Sequence, residues 1–306
     1  MADWWSRNRK RLLRLAGTLL ATGLLVFLLE EEGWGEISLA MQQVTSEDLA
    51  IVAVLFIISR FATMGRWHVL LRSGKVRIPF KDTVALTFTG LFASNFLPTT
   101  IGGDVIRLAG AMQMGFDQAV CLASLAVDRL IGMLGMSMTL PIGLVASWNT
   151  LVAGPLQAVT VPVLAKRLME FLKRTLHTFQ IWIRQPLSLI IALGFTWIHM
   201  LCLFGSIYIL VDGLGGRLSF WLVAGLWSLT YFITLIPISI NGYGVQELSF
   251  TFFLSRVGGL STAASLTVAV LIRAFFMLSS LPGAAFLPSI LSSMGREQSG
   301  QEHPKI

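Results

Sequence analysis

The stretch that decides the fold is SNFLPTTIGGDVIRL, residues 94–108. It follows the apolar run TVALTFTGLFA and is soon followed by AVCLASLAV, yet it holds a proline, two adjacent glycines, an aspartate and an arginine. Proline ends a helix because it lacks an N–H donor and clashes with the preceding turn, and glycine tolerates the tight backbone that follows. The stretch therefore predicts a helix break inside a membrane-embedded region.

The composition of the whole chain is typical of a helical membrane protein. Of 306 residues, 55% are hydrophobic and 13% are charged, whereas a soluble domain has roughly 25% charged residues. The mean hydropathy of +0.74 and the apolar runs along the chain predict an all-α polytopic fold. The formal net charge of +7 does not indicate nucleic acid, because the basic residues cluster between apolar runs, as in cytoplasmic loops.

About eight stretches are apolar enough to cross a bilayer, which takes ~20 residues. They are residues 12–29, 49–70, 82–97, 117–148, 150–165, 187–211, 218–236 and 260–290. The stretch 117–148 is too long for one upright helix, so we expect it to tilt or to bend near Pro141. These runs predict one transmembrane domain over residues 1–293 and a polar tail at 294–306.

Clusters of basic residues set the predicted orientation. Five basic residues at the start of the chain predict a retained first span with a cytoplasmic N-terminus: Arg7, Arg9, Lys10, Arg11 and Arg14. The loops 72–81 and 166–184 are also basic, and the second is either an amphipathic helix on the cytoplasmic leaflet or a helical extension. If both loops lie inside, the chain must cross the membrane an even number of times between them, but three spans are predicted there. Residues 82–115 therefore enter and leave on one side, or 98–115 forms a broken half-helix.

A second polar interruption, LIPISINGYGVQELSF at 235–250, resembles the first. Leu97–Gly103 and Ile236–Gly242 both read apolar-Pro-x-Ser/Thr-Ile-x-Gly and lie nearly half the chain apart. Paired broken segments in two halves are typical of transporters with internal repeats. They predict an inverted repeat with two broken or re-entrant segments and halves near 48–148 and 187–290. The alternative is a chance resemblance between two Pro/Gly loops at the membrane interface.

Several charged residues fall in or beside apolar stretches: Arg60, Arg66, Asp104, Arg107, Asp128, Arg129, Glu247, Arg256 and Arg273. A charge at depth costs at least ~2.5–3.5 kcal/mol, so such residues are paired or line a wet cavity. Arg66 and Arg256 could instead snorkel to an interface. The alignment of the two breaks places Arg107 opposite Glu247, and we predict one polar network around them that also holds Asp104 and Arg129.

Helices that begin after the two breaks would add partial positive charge to this network. Helix N-termini and arginine forks both suit an anion such as phosphate. The predicted substrate-binding residues are Asn95, Thr99, Thr100, Gly102, Gly103, Asp104, Arg107, Asp128, Arg129, Ser239, Asn241, Gly242, Tyr243, Gly244 and Glu247.

Three motifs resemble the signatures of the lysylphosphatidylglycerol synthase transmembrane-region family, also called flippase-like. They are NFLPTTIGGDVIRL, VDRLIG (127–132) and PISINGYGVQE (237–247), within a resemblance over roughly 10–285. The shared positions are Asn95, Pro98, Gly102, Gly103, Asp104, Arg107, Asp128, Arg129, Pro237, Gly242, Gly244 and Glu247. Asp128 replaces a frequent Glu, and Asn-Gly-Tyr-Gly replaces the commoner Gly-Gly-Leu-Gly; both are mild departures.

The resemblance implies a multi-pass protein of the bacterial or archaeal inner membrane that is linked to lipid translocation. The family's two-domain members carry a soluble aminoacyl-transfer domain after the membrane part. Here only the polar segment MGREQSGQEHPKI follows the last apolar run, so we do not expect this chain to perform that transfer alone.

These observations favour a flippase or scramblase-like translocase for an anionic phospholipid or a polyprenyl-phosphate-linked lipid. Arg107 and Arg129 would hold the phosphate, while Asp104 and Glu247 would orient the arginines. No G-x-x-x-x-G-K-[ST] phosphate loop occurs, so a lipid gradient, ions or a partner would drive transport.

Two other functions stay open. A non-transporting partner of an envelope lipid or glycan enzyme would use the basic segment 166–184 to dock a protein or anionic lipid. An intramembrane lipid-modifying enzyme is less favoured, because the four histidines are scattered and no nucleophile–base pair is evident. Cys121 and Cys202 give neither a disulfide framework nor metal-ligand spacing, and we expect no cofactor.

Overall fold

The computed structural model of the chain is helical throughout the part that it describes. The described residues are 19–20, 22–27, 30, 34–95, 97, 102–152, 186–236 and 239–288. The N-terminal basic cluster, the basic segment 166–184, most of the predicted span 150–165 and the polar tail lie outside them. Of the predicted span 12–29, the described residues from 19 onward are helical.

Nine helices of ten or more residues occur in the described ranges. They are α1 (Trp34–Gln43), α2 (Ser46–Ser73), α3 (Phe80–Ser94), α4 (Gly102–Gln113), α5 (Gln118–Val152), α6 (Pro186–Gly213), α7 (Phe220–Thr234), α8 (Val245–Arg256) and α9 (Thr262–Leu278). One succession of lengths occurs twice: 28 residues in α2 and α6, 15 in α3 and α7, and 12 in α4 and α8. A longer apolar helix follows each time, α5 and α9.

Four helices are long and apolar enough to cross a membrane, and they coincide with four of the predicted spans. They are Ser46–Ser73, Gln118–Thr150, Pro186–Gly213 and Thr262–Pro288. The predicted spans 82–97 and 218–236 are instead α3 and α7, with 15 residues each. Such a helix is about 22 Å long, shorter than the ~30 Å hydrocarbon layer. The chain is a polytopic helical membrane protein, and the short α4 agrees with the half-helix predicted at 98–115.

Side-chain caps occur at the starts of α2, α7 and α9 but not at the start of α8, which follows the second break. Thr45 and Asp48 form a capping box at the start of α2, and the hydroxyls of Ser219 and Ser261 accept backbone N–H bonds at the starts of α7 and α9. By contrast, α8 starts after Gly244 without a side-chain cap. The N-terminal N–H groups of α8 are thus left for other partners at the break.

Three apolar clusters hold the described helices together. The largest joins α1, α2, α5, α6, α7, α8 and α9, and includes an edge-to-face contact between Trp227 and Phe250 with centroids 5.0 Å apart. A second packs α2 through α5 around Trp67 and Leu86, both fully buried, and a third joins α2, α5 and α6 around Ile131. The second cluster lies on the four helices around the first break, so it fixes their positions there.

α5 and α7 touch through their backbones. Pro141 lies inside α5, which continues as a helix, so the expected bend does not interrupt it. Two residues later, a Cβ on Gly143 would overlap the carbonyl oxygen of Gly225, and a Cβ on Gly225 would come within 3.0 Å of the Gly143 Cα. Small residues permit such close approach between membrane helices.

We expect Gly143→Ala to lower the free energy of unfolding by about 1–3 kcal/mol, because the added methyl group meets a main-chain carbonyl that cannot move cheaply. The measurement is the thermal unfolding midpoint of the purified protein in detergent. Gly194→Ala is the matched control, since a Cβ at Gly194 in α6 would meet nothing within 4 Å. Equal losses of stability in both variants would contradict the close α5–α7 contact.

Candidate functional site

The first break separates α3 and α4, which pack backbone to backbone. Gly103 at the start of α4 lies so close to Gly90 of α3 that a Cβ on either glycine would overlap the carbonyl oxygen of the other. Gly90 also leaves space for the side-chain stem of Arg107, whose Cγ lies 2.7 Å from the position of a Gly90 Cβ. Both glycines thus serve close packing next to a charged residue. The predicted residues Thr99 and Thr100 lie outside the described ranges.

The second break turns through left-handed backbone. Asn241 has a φ of 50°, Gly242 one of 73° and Gly244 one of 74°. Glycine adopts this region without strain, and asparagine does so more readily than most residues. The motif NGYG therefore produces the turn, and Ser239 before it is buried with a hydroxyl group that has no hydrogen-bond partner.

The two breaks lie side by side. The hydroxyl group of Tyr243, in the second break, donates to the carbonyl oxygen of Asn95 at the end of α3, with 3.0 Å between the oxygens. The side-chain amide of Asn95 in turn donates to Ser280 Oγ at 2.8 Å. Polar groups at the end of α3, in the second break and just after α9 therefore meet at one place in the protein interior.

A cluster of five charged side chains lies beside the first break. Arg66, Arg107 and Asp128 are buried, Asp104 is partly buried, and the side chain of Arg129 is 36% exposed. Arg66 Nε donates to Asp128 Oδ1 at 2.7 Å, and Arg107 Nη1 donates to Asp128 Oδ2 at 3.4 Å. The same Nη1 donates to Asp104 Oδ1 at 3.2 Å, and Asp104 also accepts a bond from Arg129. We call these residues the charged cluster. With three arginines and two aspartates, it carries one net positive charge.

Arg107 is the least satisfied member of the charged cluster. Its side chain is buried, and neither Nε nor Nη2 has a hydrogen-bond partner in the structure. Its guanidinium lies over the ring of Trp67, with 4.0 Å between Cζ and the ring centroid. An unsatisfied buried charged donor is costly, so these two atoms are candidates for contact with a ligand.

A separate ion pair lies at the second break. Arg273 of α9 donates from Nε to Glu247 of α8, and Glu247 is only 3% exposed. The guanidinium of Arg273 also lies over the ring of Tyr243, 4.8 Å from its centroid. One acceptor, Glu247 Oε2, and one donor, Arg273 Nη2, are buried without a partner.

Arg60 in the middle of α2 binds a third helix interruption, just after α9. Its Nε donates to Ser279 Oγ at 2.9 Å and its Nη2 to the carbonyl oxygen of Phe276 at 3.1 Å. The last carbonyl groups of a helix have no partners within it and carry partial negative charge. Arg60 therefore satisfies the end of α9 and is not a member of the charged cluster.

Comparison with known proteins assigns the chain to a family. The sequence model described as "Lysylphosphatidylglycerol synthase TM region" matches residues 14–283, which is most of the chain. The chain belongs to the lysylphosphatidylglycerol synthase TM region family. None of the curated proteins matches it. The family membership predicted from the three motifs is thus confirmed.

The charged cluster contains four of the positions on which the motif resemblance to the lysylphosphatidylglycerol synthase TM region family rests: Asp104, Arg107, Asp128 and Arg129. Sequence reasoning missed two neighbours. Arg66 was given a possible place at an interface, but it is buried against Asp128. Trp67 received no role, although its position next to an intramembrane arginine in a long apolar helix was a usable signal.

The structure does not link Arg107 to Glu247 as predicted. Glu247 pairs with Arg273, and the equivalent pair beside the first break is Asp104–Arg129. Asp104 is the third residue of α4 and Glu247 the third residue of α8. Their partners, Arg129 and Arg273, are each the twelfth residue of the long helix that follows. Matching letters across the breaks placed Arg107 opposite Glu247, whereas counting from the helix starts pairs Glu247 with Asp104.

The histidines of the described ranges take part in helix packing. His199 of α6 forms a hydrogen bond of 2.7 Å with Ser59 of α2, in agreement with its interpretation as a packing residue. His68 contacts Thr83 at 3.0 Å. Within the described part of the chain, no group of three His, Cys, Asp or Glu side chains could hold a metal ion.

The Glu247–Arg273 pair predicts non-additive stability changes. Glu247→Gln and Arg273→Gln should each destabilise the protein by about 3–5 kcal/mol, because each leaves its buried partner uncompensated. The double variant should lose less than the sum, with a coupling energy of about 0.5–3 kcal/mol. The measurement is equilibrium unfolding in mixed micelles.

The control for this cycle combines Glu247→Gln with Arg107→Gln. These residues share no hydrogen bond or ion pair in the structure, so their effects should add. A larger coupling energy in the control cycle than in the Glu247–Arg273 cycle would contradict the observed pairing and support the contact between Arg107 and Glu247 that the sequence predicts.

Proposed function

We propose that this protein moves a lipid with an anionic head group between the leaflets of a bacterial or archaeal inner membrane. The family is one of membrane proteins linked to lipid handling, and the chain has the long apolar helices of a multi-pass protein. The lipid would be an anionic phospholipid or a polyprenyl-phosphate-linked lipid. The N-terminus would lie in the cytoplasm, as its basic residues indicate.

One observation carries the proposal: a net-positive charged cluster, buried around Arg66, Arg107 and Asp128, lies beside adjoining helix breaks. A phosphate head group cannot cross hydrocarbon without polar partners, and unpaired backbone within the bilayer survives only in protein or beside water. The charged cluster would supply the positive charge that compensates the phosphate. Asp104 and Asp128 would hold the arginines in place while the head group passes.

We further propose that the chain consists of two halves related by a pseudo-two-fold axis. The repeated helix lengths and the equivalent Asp104–Arg129 and Glu247–Arg273 pairs support this arrangement. Ser59 and His199, each the fourteenth residue of α2 or α6, bind one another. Contact between a residue and its own counterpart is characteristic of a two-fold axis. Such repeats would allow one half to rock against the other during transport.

Reconstituted vesicles test the transport proposal. Protein in liposomes that contain a fluorescent phosphatidylglycerol should make the inner-leaflet probe accessible to an added reductant, whereas protein-free vesicles should not. We expect Arg107→Ala to reduce this rate at least tenfold, because the charged cluster then loses its net positive charge. The matched control is Arg256→Ala, which removes an exposed arginine at the end of α8 and should transport at the wild-type rate.

Other outcomes of the vesicle experiment point to other functions. Equal rates with and without protein would contradict transport and favour a membrane partner of an envelope lipid or glycan enzyme. A chemically altered lipid, detected by mass spectrometry after incubation with the purified protein, would instead show a lipid-modifying enzyme.

A further inference from the structure

We propose that Arg107, lying over Trp67, forms an anion-binding site, and that among the described residues this site occurs in the first half only. The ligand is a phosphate group that offers two oxygen atoms to the free edge of the Arg107 guanidinium. The Glu247–Arg273 pair at the equivalent place in the second half is a structural link and binds no anion. This assignment rests on the proposed two-half architecture and identifies the site within the proposed transporter.

Arg107 is bound through one edge of its guanidinium and has the other edge free. Its Nη1 already donates to both Asp104 and Asp128. Its Nε and Nη2 lie on the opposite edge of the guanidinium, point in nearly parallel directions, and have no partner. Arginine uses such an edge to bind two oxygens of a carboxylate or phosphate at once. The two aspartates thus bind one edge of the Arg107 guanidinium, and the edge that fits an oxoanion is left without a partner.

The net charge of the charged cluster also favours an anion at this site. The charged cluster has one positive charge more than it has negative charges, and Arg107 and Asp128 are both more than nine-tenths buried. A phosphodiester carries one negative charge and two non-bridging oxygens, so it matches both the charge and the fork. Because the edge is shielded from water, hydrogen bonds to an anion there would be stronger than in solvent.

The two halves differ in the charges that they carry at equivalent positions. When residues are counted from the helix starts, the counterparts of Arg66, Asp128 and Arg107 are Ser206, Ile272 and Phe250. All three counterparts are buried, and Phe250 packs against Trp227 in the apolar core. The second half therefore forms the same helices without these three charges. Charges that the architecture does not need are best explained by ligand binding.

Unlike the three charges found in the first half only, one ion pair occurs at the equivalent place in both halves. Asp104–Arg129 and Glu247–Arg273 each join a short helix after a break to the next long helix. In the second pair, one unpartnered acceptor stands beside one unpartnered donor, and the pair has no net charge. It therefore creates no demand for an anion, whereas Arg107 presents two donors and no matching acceptor.

Calorimetric titration of the full-length protein in a neutral maltoside detergent tests this assignment directly. The probes are dihexanoyl phosphatidylglycerol as a monomer, inorganic phosphate, and dihexanoylglycerol, which lacks phosphate. We expect one phosphate-bearing molecule per chain and no binding of dihexanoylglycerol. Saturation by inorganic phosphate shows a site for the free anion, and saturation by the lipid alone shows a site that also requires the glycerol or acyl part.

Two conservative substitutions separate the halves. Arg107→Lys keeps the charge but loses the fork, so the affinity should fall at least tenfold. Arg273→Lys makes the same change in the second half and should alter affinity less than twofold. Trp67→Leu removes the ring under the guanidinium and should weaken binding about threefold or more. Ligand should also raise the unfolding midpoint of the wild type and not of Arg107→Lys.

Several results would overturn the assignment: two phosphate groups bound per chain, equal losses in Arg107→Lys and Arg273→Lys, or no binding of either phosphate-bearing probe. These outcomes are independent of the transport experiment. Binding that depends on Arg107 without lipid movement in vesicles would refute transport and leave the site intact. Lipid movement without such binding would refute the site and leave transport intact.

Discussion

The structure depends on one constraint, which is that polar groups inside a bilayer must find partners within the protein. In the described part of the chain, polar groups beside three helix interruptions satisfy one another. Tyr243 and Asn95 connect the first two breaks, Asn95 and Ser280 connect the first to the third, and Arg60 binds the carbonyl of Phe276. Each break alone would leave backbone and side-chain groups exposed to hydrocarbon. Their assembly therefore also determines how the helices around them pack.

The residues that allow α3 and α4 to pack closely also determine where Arg107 lies. Gly90 and Gly103 allow α3 and α4 to approach through their backbones, and the space beside Gly90 is filled by the stem of Arg107. The same glycines that fix the short helices thus bring a guanidinium against the ring of Trp67. Stability and ligand recognition share residues here, so most substitutions at the break will affect both. Conservative exchanges such as arginine to lysine separate the two effects better than truncation to alanine.

Much of this arrangement could be predicted from the sequence, because proline, glycine and charged residues are rare in apolar runs. Where they occur there, they indicate a helix break or a buried polar contact. The long spans and both breaks were found that way. The partner of Glu247 was not, since the letters on either side of a break do not reveal where the new helix begins. Arg66 illustrates a second limit: a long flexible arginine can reach an interface or a buried aspartate, and only its distance of 2.7 Å from Asp128 decides between them.

The hydrogen bond between Ser59 and His199 has an evolutionary consequence. In the proposed architecture it joins counterpart positions on α2 and α6, the two helices with the most extensive mutual contact. A self-complementary surface of this kind is what an ancestor of half the length would need to form a homodimer. Gene duplication and fusion of such an ancestor would preserve that surface while freeing the two copies to diverge, and in the proposed architecture this would account for charges in one half and aromatic or aliphatic side chains in the other.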